Sequence, residues 1–251
     1  MSDAAAPAAT LILFDESAPG PARHLMLQRT ETMRFAAGAL VFPGGRVEDD
    51  DHAIAASAAL ARNAPAEAED GAARVAAIRE TLEETGIATA IRPAPSPAQI
   101  ASWRAALKTG AAFSALLAES GRALDLGLLT PFSRWRPGHA VKRRFDTRFY
   151  VARREGEAEA AHDEDEAVHL LWRGAAEFLG GGYPLVFPTL RNLERLSAHP
   201  SHAATLAHLA AIPARLIIPE IRDIGGEPHL CIPEDAGYPV TQARMADLRP
   251  L

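Results

Sequence analysis

Residues 78–87 read Ile-Arg-Glu-Thr-Leu-Glu-Glu-Thr-Gly-Ile, and this pattern predicts a helix with two chemically different faces. Residues three and four positions apart are neighbours on a helix surface, so Glu80, Glu83 and Glu84 fall together. Aliphatic residues of the same segment fall on the opposite side and form a stripe that suits a protein core. Gly86 stands where helices often end, because glycine adopts the left-handed capping conformation without steric cost.

Three carboxylates this close repel one another, and the arrangement costs stability unless a cation lies among them. Hard divalent cations such as Mg²⁺ or Mn²⁺ prefer oxygen ligands of this kind. A solvated acidic helix face is the alternative, and for this segment alone it is the better interpretation. The sequence upstream of the helix favours a metal site.

The composition is that of an ordinary soluble globular protein. Of 251 residues, 48% are hydrophobic and 23% are charged, enough for a core in one large domain or two small ones. The net charge of -6 argues against nucleic acid or an anionic membrane surface as the main partner. The single cysteine, Cys231, excludes an internal disulfide. With neither a basic N-terminal region nor a long apolar stretch, the chain is expected to be cytoplasmic.

The N-terminal part predicts short strands around a glycine pair. Residues 1–9 are rich in alanine and proline and are expected to be disordered. Thr10–Asp15 and His24–Arg29 predict the two strands of a hairpin. Ala39–Phe42 predicts a third strand, which breaks at Gly44-Gly45, where the backbone can approach a ligand closely. Downstream, Ala53–Arg62 predicts a short helix, and Asp70 is expected to cap the acidic helix.

The rest of the chain interleaves helices and strands. The predicted helices are Gln99–Leu107, Ala112–Ser120, Gly174–Leu179, Pro188–Ala198 and His202–Ala211. The predicted strands are Val141–Arg154, Ala167–Trp172, Arg215–Ile221 and His229–Ile232, the last two forming a hairpin around Gly225-Gly226. Without regular βαβ alternation, this order favours an α+β fold, a mixed-sheet sandwich.

The glycine pair followed by the acidic helix resembles the Nudix box, G-x5-E-x7-R-E-U-x-E-E-x-G-U, where U is aliphatic. The second half fits from Arg79 to Ile87, with Thr81 at a position that is usually aliphatic. Gly45 and Arg79 are 34 positions apart, where the pattern has 14, so the chain carries an insertion of 20 residues.

The insertion leaves two alternatives for the first acidic residue of the box. Counted from Gly45, that position falls on Asp51. Counted back from Arg79, it falls on Gly71, next to Asp70. Neither aspartate is preferred by the spacing, and the role falls to one of them or to neither.

The chain is similar to the Nudix branch that includes peroxisomal coenzyme A diphosphatases, whose members carry an insertion inside the box. Further stretches support this resemblance: LVFPGG at 40–45, AIRETLEETG at 77–86, RRFDTRFYVA at 143–152, PLVFPTLRNLERL at 184–196 and LCIPEDAGYP at 230–239. The resemblance implies one Nudix hydrolase domain over residues 1–251, a mixed β-sheet sandwiched between helices (α/β/α). It also implies a helical insertion at about 52–70, a helical segment at about 97–121, and C-terminal helices with a hairpin over 188–251.

The resemblance also implies the site and its cofactor, Mg²⁺ or Mn²⁺. Carried over to this chain, Glu83 and Glu84 are metal ligands, and Glu80 is a third ligand or a proton acceptor. Gly44 would contribute its carbonyl oxygen to the metal, and Arg79 would orient a carboxylate of the helix.

Residues outside the box add weaker candidates. Glu164 and Glu166 are candidates for a further catalytic base, with an ordinary solvated acidic turn as their alternative. Arg144 and Arg148 share one strand face and are candidates for clamping substrate phosphates. Pairing with acidic neighbours such as Asp146 or the turn at 162–166 is an equally good interpretation of these arginines.

Three hypotheses of function follow. The first is metal-dependent hydrolysis of coenzyme A or an acyl-CoA to 3′,5′-ADP and the phosphopantetheine portion. The second keeps the chemistry with ADP-ribose, NADH, a nucleotide sugar or a dinucleoside polyphosphate as substrate. The third is a nucleotide-binding regulatory domain without turnover, which the presence of Glu80, Glu83 and Glu84 argues against. The oligomeric state stays open, with a homodimer as one alternative.

Overall fold

The computed structural model describes residues 5–28, 38–138, 144–156 and 169–248. The strands are β1 Ala6–Phe14, β2 Arg23–Gln28, β3 Leu40–Val41, β4 Gly44–Arg46, β5 Ala61–Arg62, β6 Ile91–Arg92, β7 Ala123–Asp125, β8 Thr130–Trp135, β9 Phe145–Arg153, β10 His169–Gly174, β11 Leu216–Ile217, β12 Glu220–Ile224, β13 Glu227–Cys231 and β14 Gln242–Arg244. The helices are α1 Asp49–Ala56, α2 Ala68–Thr85, α3 Pro97–Lys108, α4 Phe113–Glu119, α5 Ala175–Gly180, α6 Phe187–Ser197 and α7 His202–Ala211.

The main sheet has five strands in the order β11-β8-β9-β1-β4 and is mixed, because β1 runs parallel to β9 and antiparallel to β4. Three smaller sheets have the orders β10-β2-β3, β12-β13-β14 and β5-β7-β6. Strand β4 is an outer strand of the main sheet, so its far edge is open to other groups. The expected α+β class with a mixed sheet is confirmed.

Both faces of β1 are buried, which explains its continuous apolar sequence. Leu11 and Leu13 pack into a core with the apolar stripe of α2 and with α3 and α4. Ile12 and Phe14 pack into a second core with α5, α6 and α7. Helices therefore cover both faces of the main sheet, the layered arrangement that the sequence predicted.

The predicted hairpin of the first two strands is wrong. β1 lies in the main sheet and β2 lies in the sheet with β10 and β3, and their backbones pair only in one bridge between Asp15 and Arg23. A strand buried on both faces needs a partner on each edge, and β1 takes β9 and β4. The expected disorder is also wrong for Ala6–Ala9, whose backbone extends the ladder with β9.

Two predictions about the insertion are corrected. Its helix, α1, begins at Asp49 rather than Ala53, because three aspartates suit a helix N-terminus, and the chain then forms the short strand β5 instead of remaining helical to residue 70. Asp70 does not cap α2, since the helix begins at Ala68 after Glu67. The carboxylate of Asp70 accepts hydrogen bonds from other side chains instead.

Two predictions about strands are also corrected. The strand face predicted to carry Arg144 and Arg148 is not polar throughout, because it continues into the buried Tyr150 and Ala152, which pack against α2. The strand predicted at Arg215–Ile221 is two strands, β11 and β12, because Pro219 between them lacks an amide for a ladder. The hairpin around Gly225-Gly226 and the remaining predicted helices are confirmed within two residues at each end. Among the described residues, no helix has the length and hydropathy that a bilayer crossing requires.

His24 is buried in β2 and supplies a pH-sensitive term in stability. Its Nδ1 lies 3.1 Å from the Leu13 carbonyl oxygen, and its ring meets the Phe14 ring edge-on. Burial lowers the pKa of His24 to about 4, against about 6.5 in an unfolded chain. Between these values the unfolded state holds more protons, so stability is lost as the pH falls.

We expect the free energy of unfolding to fall by about 2 kcal/mol more between pH 7 and pH 5 in the natural protein than in His24→Gln. Urea denaturation at both pH values measures this difference. His52→Gln is the matched control, because His52 is exposed and its loss should leave the pH dependence unchanged. A His24 variant with the pH dependence of the natural protein would show that this histidine is not the titrating group.

Candidate active site

Helix α2 has the two faces that the sequence predicted. Val75, Ile78 and Leu82 are fully buried in the core, whereas Glu80, Glu83 and Glu84 remain partly accessible. The helix ends at Gly86, which adopts a left-handed conformation with φ of 71° and donates its amide to the Leu82 carbonyl. The stop at Gly86 fixes where the last glutamates of the helix stand relative to the sheet.

Arg79 is buried, and its guanidinium joins three elements. Its Nε and Nη2 donate to the two carboxylate oxygens of Asp51 in α1, each at 3.0 Å. Nη2 also donates to the Arg46 carbonyl in β4 at 2.9 Å, and Nη1 donates to Glu80 at 3.0 Å. Burial opposes the charge of Arg79, but the hydrogen bonds and charge of Asp51 outweigh it and raise the pKa of the guanidinium.

The structure separates the two aspartates that the spacing left open. Asp51 is fully buried against Arg79. Asp70 lies at the start of α2, where it accepts hydrogen bonds from Arg74 at 2.9 Å and from the Tyr150 hydroxyl at 2.7 Å. Only Asp51 therefore contacts the arginine of the acidic segment.

The glycine pair brings the backbone of β4 against two glutamates. The Gly44 amide donates to Oε2 of Glu84 at 3.0 Å. A Cβ on Gly45 would meet the Glu80 carboxylate at 2.3–2.7 Å, and a Cβ on Gly44 would meet the Ala9 carbonyl oxygen at 2.3 Å. A side chain at Gly45 would displace the Glu80 carboxylate, and a side chain at Gly44 would clash with the backbone of β1.

The surroundings of the Glu80 carboxyl shift its pKa. Burial raises the pKa of Glu80 to about 7, the charge of Arg79 lowers it in part, and the nearby Glu83 raises it further. Glu83 lies 3.7 Å from Nη1 of Arg79. At neutral pH such a carboxyl can exchange a proton, and a divalent cation nearby would favour its ionised form.

The donors in this region suit a hard divalent cation. In the described part of the chain, no three carboxylate, histidine or cysteine side chains already converge on one point at metal-binding distance. Mg²⁺ does not require such a cage, since it commonly takes one or two protein carboxylates and completes its shell with water and substrate phosphates. Glu80, Glu83 and Glu84 of α2 offer oxygens of this type, and Glu80 and Glu84 lie against β4.

A cleft of about 340 Å³ lies beside the glycine pair. Its floor comes from alternate residues of two neighbouring strands, including Ala8 and Thr10 of β1 and Thr147 and Phe149 of β9. Side chains alternate along a strand, so this is the face of the sheet turned away from α2. The apolar walls are Val41, Phe42, Trp135, Phe145, Val186, Phe187 and Leu230. Size and lining are those of a small-molecule site.

The predicted phosphate clamp does not lie in this cleft. Arg148 donates to Asp70 at 3.2 Å and to Glu67, which matches the alternative of pairing with acidic neighbours. The expected partner Asp146 instead accepts two hydrogen bonds from Arg134. Arg144 donates to the Pro137 carbonyl at 3.3 Å and is not among the residues that line the cleft.

Two further candidates keep the status of predictions. Glu164 and Glu166 lie outside the described residues, so their role as a catalytic base stays a prediction.

Arg46, which lines the cleft, was missed by the sequence analysis. The signal for it was the alternation along Gly44-Gly45-Arg46, which turns Arg46 to the face opposite Gly45.

Comparisons with known proteins agree on one family. The model of the NUDT19 Nudix domain matches residues 57–181. A solved NUDIX hydrolase from Alicyclobacillus acidocaldarius shares 32% identity, covers 81% of this chain and 96% of its own, and has a TM-score of 0.69. A MutT protein from Methanosarcina mazei Go1 shares 14% identity over 79% of this chain and 96% of its own, with a TM-score of 0.44.

We expect Asp51→Asn to lower the free energy of unfolding by about 3 kcal/mol, because the buried Arg79 loses its charged partner. Asp49→Asn, an exposed position in the same helical turn, should change it by less than about 1 kcal/mol. Urea denaturation of both variants at pH 7 measures the difference. Equal effects would mean that the Asp51 ion pair contributes nothing specific.

Proposed function

The chain belongs to the Nudix hydrolase family, and from that premise we propose that it hydrolyses the diphosphate of coenzyme A or an acyl-CoA. The observation that carries the site is the contact of the glycine pair with the glutamates of α2, Gly44 with Glu84 and Gly45 with Glu80. These contacts bring Glu80 and Glu84 to β4, whose residues Gly44 and Gly45 also line a cleft large enough for part of a nucleotide.

In this proposal Glu83 and Glu84 bind Mg²⁺ or Mn²⁺, and Glu80 is a third ligand or a proton acceptor. The bound cation supplies Lewis acidity, polarising phosphoryl oxygens and lowering the pKa of water toward neutrality. A raised pKa near 7 suits Glu80 to accept a proton at physiological pH. Arg79 holds Glu80 in position and is itself held by Asp51, which we infer takes the place of the first acidic residue of the box.

The Gly44 carbonyl remains part of the proposal, and its place in the ladder supports it. Odd-numbered residues of β1 and β4 exchange the hydrogen bonds, as when the Leu11 amide donates to the Pro43 carbonyl at 3.0 Å. Gly44 is therefore at a non-hydrogen-bonded position, where amide and carbonyl both turn to the open edge. The amide already reaches Glu84 on that side.

Two features favour coenzyme A among the diphosphates. The chain resembles coenzyme A diphosphatases in its insertion between Gly45 and Arg79 and in stretches near both ends. The aromatic and aliphatic walls of the cleft suit an apolar acyl-pantetheine arm, which ADP-ribose and NADH lack. The products would be 3′,5′-ADP and the phosphopantetheine portion, formed by one Nudix domain spanning residues 1–251.

A substrate panel tests the proposal. The purified protein is incubated with Mg²⁺ or Mn²⁺ and with CoA, acyl-CoA, ADP-ribose, NADH or a nucleotide sugar, and products are separated chromatographically. We expect the highest kcat/KM for CoA or acyl-CoA. Turnover of ADP-ribose without turnover of CoA would overturn the substrate. Tight nucleotide binding without turnover of any compound would indicate a regulatory domain.

We expect Glu83→Gln and Glu84→Gln each to lower kcat/KM by about 100-fold or more, because a cation loses a charged ligand. Glutamine keeps an oxygen that can accept the Gly44 amide, so the melting temperature should change little. Mn²⁺ affinity, followed by electron paramagnetic resonance, should fall in the same variants. Glu69→Gln, at an exposed position of α2, should retain full activity. Near-normal rates in both test variants would place the metal elsewhere.

A further inference from the structure

Arg46 is the cleft residue for which neither the family pattern nor the sequence suggested a role. We propose that the Arg46 guanidinium binds a phosphate of the substrate where the substrate extends from the cleft to the glutamates of α2. This inference rests on the proposed function. It assigns the specificity for an anionic, phosphate-bearing substrate to β4, in place of Arg144, just before β9, and Arg148 on β9.

The direction of Arg46 follows from the ladder. Arg46 pairs directly with Ala8 across β1 and β4, and directly paired residues project to the same face of a sheet. Ala8 lines the cleft. The preceding residue, Gly45, projects to the opposite face, where its Cβ would meet Glu80. Arg46 therefore lies on the cleft face of the sheet, whereas the adjacent Gly45 faces the Glu80 carboxylate on the opposite face.

Arg46 is fixed at its backbone and available at its side chain. The Arg46 carbonyl accepts a hydrogen bond from Arg79 at 2.9 Å, which ties the residue to the acidic helix. Its side chain is exposed and, within the described ranges, makes no ion pair or hydrogen bond with another side chain. Glu80 and Glu83 lie close to Arg79 instead. A positively charged group beside an acidic cluster thus remains open to an anion.

The other arginine at the cleft is less suited to this role. Arg136 donates its backbone amide to the Ile217 carbonyl, and its guanidinium lies 3.8 Å from the Asp146 carboxylate. Asp146 stands between Phe145 and Thr147 on β9, so it projects to the face away from the cleft. The guanidinium of Arg136 is therefore directed toward that other face.

The chemistry of a diphosphate matches this geometry. Arginine binds phosphate through two parallel hydrogen bonds, which fixes orientation as well as charge. Gly44 and Gly45 carry no side chains between Arg46 and the glutamates, so a phosphate can lie against the backbone there. A substrate with its apolar group in the cleft would then present one phosphate to Arg46 and the scissile bond to the carboxylates.

Binding of ADP and of adenosine without metal, by isothermal titration calorimetry, tests Arg46 separately from catalysis. We expect Arg46→Ala to weaken ADP binding by about 10-fold or more and to leave adenosine binding unchanged. Arg46→Lys should be intermediate, because lysine keeps the charge and loses the paired hydrogen bonds. Arg62→Ala, at an exposed strand position outside the cleft, is the matched control and should bind both like the natural protein.

Steady-state kinetics with Mg²⁺ and CoA gives a second measurement. Arg46→Ala should raise KM by a similar factor. ADP binding equal to that of the natural protein in Arg46→Ala would overturn the Arg46 assignment and leave the proposed hydrolysis standing. Equal losses for ADP and adenosine would also overturn it, as they would indicate a disturbed cleft. Absence of CoA hydrolysis by the natural protein, with Arg46-dependent ADP binding, would overturn the substrate and support Arg46.

Discussion

The buried ion pair between Arg79 and Asp51 is the interaction on which the candidate site depends. A buried guanidinium without a charged partner is strongly destabilising. Helix α1 must therefore pack against α2 so that Asp51 reaches Arg79, whatever the length of the chain between the two helices. The same guanidinium bonds the Arg46 carbonyl and thereby fixes β4 against the helix. The Arg79 guanidinium thus connects α2 to α1 and to β4, and this keeps Gly44 and Gly45 beside the glutamates of α2.

The ion pair between Arg79 and Asp51 also affects the net charge around the glutamates of α2. Arg79 carries one positive charge and shares it among three carboxylates, those of Asp51, Glu80 and Glu83. Part of the repulsion is relieved by the raised pKa of Glu80, which lets that group hold a proton near neutral pH. A divalent cation would relieve it further. The shared charge of Arg79 therefore leaves a region of negative charge that would attract cations.

The sequence predicted what is encoded locally and failed where distant segments meet. Helix α2 was predictable from its period and from Gly86, all within one segment. The partner of Arg79 was not, because spacing alone cannot distinguish Asp51 from Asp70 across an insertion. The hairpin of β1 and β2 failed because an apolar run does not reveal which strands flank it, and β1 pairs with β9 from far along the chain. Arg148 was likewise ambiguous until α2 brought Glu67 and Asp70 to it.

The position of the extra residues follows from the two roles of Asp51. Its Oδ2 accepts the Glu48 amide at 2.9 Å, which helps to start α1, while both of its oxygens bind Arg79. In the proposed assignment, the segment from Gly45 to Asp51 keeps the spacing of the box and the insertion falls after Asp51. Lengthening a loop costs little additional closure entropy once its ends are held, since the cost grows only with the logarithm of length. The chain between α1 and α2 can therefore be long while Asp51 and Arg79 stay paired.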